Sequence, residues 1–303
     1  MKAKFLFFIF FITKVKAQIC GIGSATSIYG KLFDENNVES EFKFNSERII
    51  GGMPLQNGVF PWAVYLSMGC TGSIISPNYI LTAKHCTMGS IGFVKVYYGS
   101  ANKDNQMSQI STTMFQFSDG KNVAGEDIAL IKLENPIEFN ENVSSICLSR
   151  NLRPKIGDKA IVAGFGNVFL GVKFNFTKGE DVLEENIDSF LPNNLYAVSM
   201  PVINSTFCYC HCNTSEKFYD INEEKEFCAG GFQQGTLGGD SGGPSMILEK
   251  SSMQWFQVGI TARGETLSTG NSTTIIDHGM YTDVSKFCDW IEKTTNNEVL
   301  CSS

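Results

Sequence analysis

The sequence predicts an all-β protein, an antiparallel barrel or sandwich that ends in one C-terminal helix. Short runs rich in β-branched and aromatic residues recur between clusters of Gly, Asn, Ser and Pro. They fall at 62–67, 73–75, 79–83, 93–98, 128–133, 160–164, 256–262 and 280–284. Helical periodicity is convincing only near the end, where Val284, Phe287 and Ile291 share a face at i, i+3 and i+7. No internal repeat or low-complexity tract interrupts this pattern. Residues 167–194 are polar, carry a glycosylation sequon and read as a long exposed loop.

The chain has 303 residues, 43% hydrophobic and 18% charged, enough for the core of one or two domains. Its net charge of −7 gives no support to a nucleic-acid or anionic-membrane partner. The body of the chain lacks the run of about 18 apolar residues that a membrane span needs. At the N-terminus, Lys2 and Lys4 precede the apolar run 5–12, and Val15-Lys16-Ala17 offers small residues for cleavage. Residues 1–17 therefore read as a secretory signal.

Secretion makes disulfides the default for the ten cysteines, including the Cys208-x-Cys210-His211-Cys212 cluster, so neither a metal nor a cofactor is expected. Asn-x-Ser/Thr sequons at Asn142, Asn175, Asn204, Asn213 and Asn271 fit the same route. Residues 18–48 are polar and acidic and read as an activation prosegment. It ends at Arg48-Ile49-Ile50-Gly51-Gly52, a site suited to a basic-specific protease. Residues 49–303 form the remaining domain.

The stretch Gly238-Gly239-Asp240-Ser241-Gly242-Gly243-Pro244 holds a serine that nothing shields from a substrate. Acyl transfer by serine needs a base, and histidine is best matched to neutral pH. Of His85, His211 and His278, only His85 follows an apolar strand and precedes a cysteine that would pin it. Asp127 opens the strand-like run Asp127-Ile128-Ala129-Leu130, a firm mount for an orienting carboxylate. The pattern Gly239-x-Ser241-x-Gly243 also matches the nucleophile elbow of α/β-hydrolases. That elbow leads into a helix and has its acid and histidine downstream, whereas Pro244 and a strand-like run follow here.

Together these stretches resemble the chymotrypsin/trypsin family of serine peptidases from Ile49 to the terminal helix. Leu81-Thr82-Ala83-Lys84-His85-Cys86 is similar to the family's histidine motif, Asp127-Ile128-Ala129-Leu130 to its aspartate motif, and Gly239-Asp240-Ser241-Gly242-Gly243-Pro244 to its serine motif. The resemblance implies two six-stranded antiparallel β-barrels with the active site between them. It implies a Ser241 nucleophile, a His85 base, an orienting Asp127 and an oxyanion hole at the N–H groups of Gly239 and Ser241. These are the roles of the general description of the triad, which is itself drawn from this family. It further implies that cleavage after Arg48 frees an ammonium at Ile49, which pairs with Asp240.

The resemblance also implies disulfides Cys70–Cys86 and Cys20–Cys147, the second keeping the prosegment attached. Cys228 would pair within the 208–212 cluster, most simply with Cys208. Partners of Cys210, Cys212, Cys288 and Cys301 stay open, with Cys288–Cys301 one pairing among them. Two family bridges are missing at both ends, with Ala160 and Ile247 at one and Leu237 at the other.

The family's primary specificity pocket is floored by the residue six before the serine. Here that is Gly235, followed by Thr236, with Gly279 leaving the wall open. A floor without a carboxylate predicts a preference for uncharged side chains, and activation by a separate basic-specific protease. Arg263 would place a cation at the cleft rim and favour acidic substrate residues. Ala262 removes a hydroxyl that in the family supports the catalytic aspartate, and Lys84 brings a charge beside His85. These departures keep open a second reading, a binding or regulatory homologue with weakened catalysis. The partners expected for the first reading are protein or peptide substrates, the activating protease and serpin-type or other inhibitors.

Overall fold

Pairing of the apolar runs builds two antiparallel sheets. In the computed structural model, residues 20–26, 50–90, 92–120, 125–176, 183–208, 221–268 and 275–303 are described. The signal segment 1–17, most of the prosegment, Arg48 and Ile49, Cys210 and Cys212, His211, Asn213 and Asn271 lie outside these residues.

In chain order the elements are β1 (Met53–Pro54), β2 (Ala63–Leu66), β3 (Cys70–Ser76), β4 (Tyr79–Thr82), α1 (His85–Met88), β5 (Val94–Tyr98), β6 (Met107–Ser111), β7 (Thr113–Gln116) and β8 (Ala129–Lys132). The second half comprises β9 (Lys159–Gly164), β10 (Val168–Phe176), β11 (Leu183–Phe190), β12 (Tyr196–Ile203), β13 (Glu226–Phe232), β14 (Pro244–Glu249), β15 (Gln254–Ser268), β16 (Ile275–Asp283) and α2 (Cys288–Thr294).

The first sheet runs β6-β5-β2-β3-β4-β8-β7 and forms a half-barrel. The second runs β1-β12-β13-β16-β15-β14-β9, and pairing of β12 with β9 closes six of its strands into a barrel. Closure removes the free edges that would otherwise invite another chain to pair. The described residues thus carry a mostly antiparallel β fold, with one closed six-stranded barrel, one half-barrel and a short terminal helix.

One core joins the halves. Trp62, fully buried before β2, donates its indole N–H to the Met246 sulfur of β14 at 3.0 Å. Phe60 packs edge-on against Trp255 with ring centroids 5.3 Å apart. Val284, Phe287 and Ile291 are all buried, as their spacing predicts. Phe117, just after β7, meets Phe287 and Trp290 edge-on and seats the terminal segment on the first half. Residues 20–26 are fastened too: the Gly21 N–H donates to Ser145 O, and the Trp255 N–H donates to Gly21 O.

Residues 167–194 are not the expected loop. β10 and β11 pair as a hairpin, and Val168, Phe169 and Val172 are buried beneath it. The polar residues of β11 masked the alternation in β10. The last hairpin also runs further than its apolar cores suggest: β15 extends to Ser268, and β16 begins at Ile275. No helix of the described residues is long and apolar enough to cross a membrane.

Truncating Trp62 to Ala removes both the large side chain and the link to Met246. The unprocessed chain should lose about 3–5 kcal/mol of stability. This would be measured as a lower guanidinium midpoint with an unchanged m value.

Candidate active site

The base candidate sits where a strand turns into a helix. β4 ends at Thr82, Ala83 is buried, and His85 is the first residue of α1. Asp127 directly precedes the buried Ile128 and strand β8, which pairs with β4 over four residues. Strand pairing therefore brings together two residues 42 positions apart. Asp127 Oδ1 accepts the His85 backbone N–H at 2.8 Å, and Oδ2 lies 2.6 Å from His85 Nδ1. An ionised carboxylate only accepts, so Nδ1 carries the proton and Nε2 is left as an acceptor. Among the described residues, no hydroxyl reaches these two oxygens in place of the one the resemblance implies at 262. Instead Thr282 Oγ1 donates to the Asp127 carbonyl at 3.2 Å.

Ser241 lies across from this pair in the turn before β14. The Cys70–Cys86 disulfide closes the gap, since Cys86 Sγ is 3.6 Å from both His85 Nε2 and the Ser241 carbonyl oxygen. Next to Cys70, Thr71 ties the first sheet to the turn. Its N–H donates to Ser241 O at 2.8 Å, and its hydroxyl donates to Gly239 O at 2.9 Å. Sequence reasoning missed Thr71. Its only signal is that it follows a bridging cysteine.

Every carbonyl from 238 to 241 accepts a hydrogen bond inside the protein. Gly238 O takes the Asn167 N–H and Asp240 O the Gly243 N–H, while Thr71 holds the other two. The N–H groups of Asp240 and Gly242 also donate internally, to Leu237 O and Thr261 O. A trans peptide points its N–H opposite to its C=O. Anchoring the 238 and 240 carbonyls inward therefore turns the Gly239 and Ser241 N–H groups outward. Neither has an acceptor among the described residues. They form a pair of free donors beside the Ser241 hydroxyl. Gly239 has φ +99°, and a Cβ there would lie 2.7 Å from the Gly166 Cα, so only glycine fits.

Asp240 is fully buried. Its Oδ1 accepts the Gly166 N–H and its Oδ2 the Leu237 N–H, each at 2.9 Å. Burial raises its pKa to about 7, against the pull of these two hydrogen bonds and of the Lys103 ammonium. Lys103 itself is half-buried over the Tyr65 ring and donates to Phe165 O and Pro192 O, each at 3.0 Å. Ile50 is also fully buried, against Phe169, Val172 and Ile275, and its carbonyl accepts the Gly235 N–H at 3.2 Å. The chain just beyond the candidate cleavage site therefore docks beside the turn.

Four disulfides are formed among the described residues: Cys20–Cys147, Cys70–Cys86, Cys208–Cys228 and Cys288–Cys301. The cluster of Cys70, His85 and Cys86 brings three atoms of metal-ligating types together, but both cysteines are spent in their disulfide. Of the sequons, Asn204 is exposed and Asn142 is half-buried, while Asn175 lies in β10.

Two residues expected at the pocket have neighbours that spacing alone did not reveal. Arg263 is held in a two-pronged ion pair by the buried Glu226 of β13, with Nη2 2.9 Å from Oε2. A bidentate pair with a buried acid fixes the guanidinium and satisfies its charge. The second concerns Gly235. A Cβ at this glycine would fall 2.1 Å from the Asp277 Cβ and 2.3 Å from its Oδ2. The space for a residue-235 side chain is thus filled by a carboxylate from β16. Thr236 lies beside it, donating its N–H to Asp277 Oδ2 at 3.1 Å. Gly279 is buried in β16 and pairs with Gly264 of β15.

Residues 49–291 match the family model described as Trypsin. The chain is 29% identical over 254 residues to a "Trypsin-like protease" of Streptomyces glaucescens, covering 82% of this chain and 83% of that protein. It is also 27% identical over 275 residues to "Ovochymase" of Halocynthia roretzi, covering 84% of this chain and 15% of that longer protein. The closed barrel, the half-barrel and the cleft between them define a protein of the two-barrel serine protease class. The chain belongs to the Trypsin family.

Alanine at Gly166 would drive a methyl group to 2.5 Å from both the Asp240 backbone nitrogen and Oδ1, and alanine at Gly164 to 2.2 Å from Oδ1. Either substitution should destabilise the chain by about 1–3 kcal/mol through overpacking. Denaturant unfolding of each variant beside the wild type checks this, and unchanged midpoints would refute the fit.

Proposed function

We propose that the protein is a secreted serine endopeptidase, made as a zymogen and switched on by cleavage after Arg48. The observation that carries this reading is the Asp127–His85 pair, joined through Cys86 to the backbone of Ser241, with the N–H groups of Gly239 and Ser241 finding no acceptor among the described residues. Ser241 Oγ attacks the scissile carbonyl while His85 Nε2 takes its proton. The resulting oxyanion is received by the N–H groups of Gly239 and Ser241, where one such donor is worth about 3 kcal/mol of barrier. His85 then protonates the leaving amine, and the acyl-enzyme forms. Water, deprotonated by the same imidazole, hydrolyses the ester and returns the proton to Ser241. Asp127 keeps Nδ1 protonated and steadies the imidazolium throughout.

Residues 1–17 direct secretion, 18–48 form the prosegment and 49–303 the peptidase domain. The Cys20–Cys147 bridge would keep residues 18–48 attached after the cut. Disulfides fit an oxidising compartment, and there the sequons become glycosylation sites. The new ammonium at Ile49 pairs with Asp240. The seated Ile50 and the buried Asp240 support this, because a carboxylate taken out of water needs a cation. Upstream of the protein stands a protease that cuts after basic residues. Protein or peptide substrates and protein protease inhibitors are its other partners.

A fluorophosphonate should label Ser241 in the chain cut after Arg48 and neither the uncut chain nor Ser241→Ala. Arg48→Gln should be secreted and folded but silent, with labelling and peptide hydrolysis at least ~100-fold below the cut enzyme. Absence of labelling in every form would favour a non-catalytic binding homologue.

Activation should also change how stability depends on pH. In the intact chain the folded pKa of Asp240, about 7, lies above the unfolded value of roughly 3.9. The folded state then holds a proton that the unfolded state has lost, so stability is greatest below pH ~4 and falls as pH rises towards 7. Pairing with the Ile49 ammonium lowers the Asp240 pKa and flattens this fall. Melting temperatures of Ser241→Ala between pH 4.5 and 7.5, before and after cleavage, check the sign. Parallel curves would remove the proposed pair.

A further inference from the structure

We infer that the Asp277 carboxylate forms the base of the primary specificity pocket, and that the enzyme therefore cleaves after arginine and lysine. This rests on the endopeptidase reading and deepens it by naming the substrate class.

Three successive N–H groups divide the space around residues 235–237. Gly235 N–H points to Ile50 O, Thr236 N–H to Asp277 Oδ2 and Leu237 N–H to Asp240 Oδ2. Ile50 and Asp240 take the first and third of these donors, and the new N-terminus is proposed to dock beside them. Asp277 takes the second, the N–H of Thr236.

Asp277 stands on a strip of strand with few side chains. Asp277, Gly279 and Tyr281 alternate along one face of β16, opposite Thr266 and Gly264 of β15 by register. The Thr236 side chain is hydrogen-bonded to Tyr281, while its N–H reaches Asp277. Thr236 and the strand face thus flank the carboxylate on two sides, with the Tyr281 ring packed over Gly279.

Asp277 is 1% exposed. It accepts from Thr236 N–H at 3.1 Å and from Thr266 Oγ1 at 2.9 Å. A carboxylate has room for about four donors, so acceptor positions remain. No cation pairs with it among the described residues. Burial, and the nearby Asp240, push its pKa up to about 7, as expected of a buried acid still lacking a counter-charge. The guanidinium or ammonium of a substrate residue supplies that charge. The carboxylate enters from β16, but it fills the volume that a side chain at 235 would fill.

The test uses full-length chain cut after Arg48 by an immobilised protease that is then removed. Peptides that differ only in the residue before the scissile bond (Arg, Lys, Tyr, Leu or Glu) report kcat/KM, and fluorophosphonate labelling counts competent serines. Wild type should prefer Arg and Lys at least ~100-fold over Tyr and Leu. Asp277→Asn should lower the Arg and Lys values at least ~100-fold, as loss of one partner of a buried ion pair does, and the Tyr and Leu values less than ~5-fold. Gly235→Asp/Asp277→Gly, which returns the carboxylate to the other chain segment in the same volume, should regain the basic preference. This swap carries the test if Asp277→Asn does not fold.

A labelled wild type that prefers Tyr, Leu or Glu overturns the inference and leaves the peptidase reading standing. So does an Asp277→Asn enzyme with its basic preference intact. If processed wild type takes no label, the peptidase reading fails, and calorimetry with benzamidine judges the pocket alone. Binding that disappears in Asp277→Asn supports the carboxylate site; no binding by wild type, or equal binding by both, overturns it.

Discussion

Burial of one carboxylate organises the cleft. Taking an anion out of water costs several kcal/mol unless hydrogen bonds and a counter-charge offset it. Asp240 receives two backbone N–H bonds, and its pKa still stands at about 7. Its entry to that place dictates its surroundings. The chain at 164 and 166 can carry no side chain, because Asp240 occupies the space a Cβ would need. The turn that swings the carboxylate inward requires the left-handed conformations of Gly239 and Gly242. With the carbonyls of this turn held inside, two N–H groups are left facing the cleft. The glycines around Ser241 thus serve the geometry of its buried neighbour as much as access to its hydroxyl.

Three aspartates near the cleft illustrate how environment assigns tasks to one side chain. Asp127 is partly exposed and already has two donors from His85, so it holds and orients. Asp240 is closed off beside the docked Ile50, on the side where proteolysis would deliver an ammonium. Asp277 is equally closed off, held by the Thr236 N–H and the Thr266 hydroxyl and given no cation among the described residues. Asp240 raises the proton affinity of Asp277. Under the proposed mechanism, neutralising one by cleavage would also ease ionisation of the other, coupling activation to the binding of a basic substrate residue.

Much of the fold was legible because it rests on local pattern. The eight apolar runs each lie in or overlap a strand, apart from a residue or two at their ends, and the face of Val284, Phe287 and Ile291 is the buried one. Strands β10 and β11 were not legible, because a hairpin edge with one exposed face tolerates polar residues that read as loop. The pairing of His85 with Asp127 was legible because each adjoins an apolar strand run that fixes it. Thr71 was illegible for the opposite reason: a threonine in a strand carries no signal until its hydroxyl is seen to reach the Gly239 carbonyl. The partner of Arg263 was illegible because Glu226 lies 37 residues away on a strand paired through β16.

The pocket shows most clearly why spacing from the serine is an incomplete guide to specificity. Counting back six residues finds Gly235 and no charge, which is true of the chain but not of the volume. What a substrate meets is a position in space, and a glycine at 235 vacates that position for a neighbour. The neighbour here is Asp277, 42 residues further on, brought in by the β15–β16 register. The glycine at 235 and the acid at 277 are sterically linked, since a Cβ at 235 would fall 2.1 Å from the Asp277 Cβ. The same geometry bears on activation. If Asp277 floors the pocket as inferred, the pocket accepts the side chain of Arg48, and a second, already activated copy of this chain joins the candidates for the upstream protease.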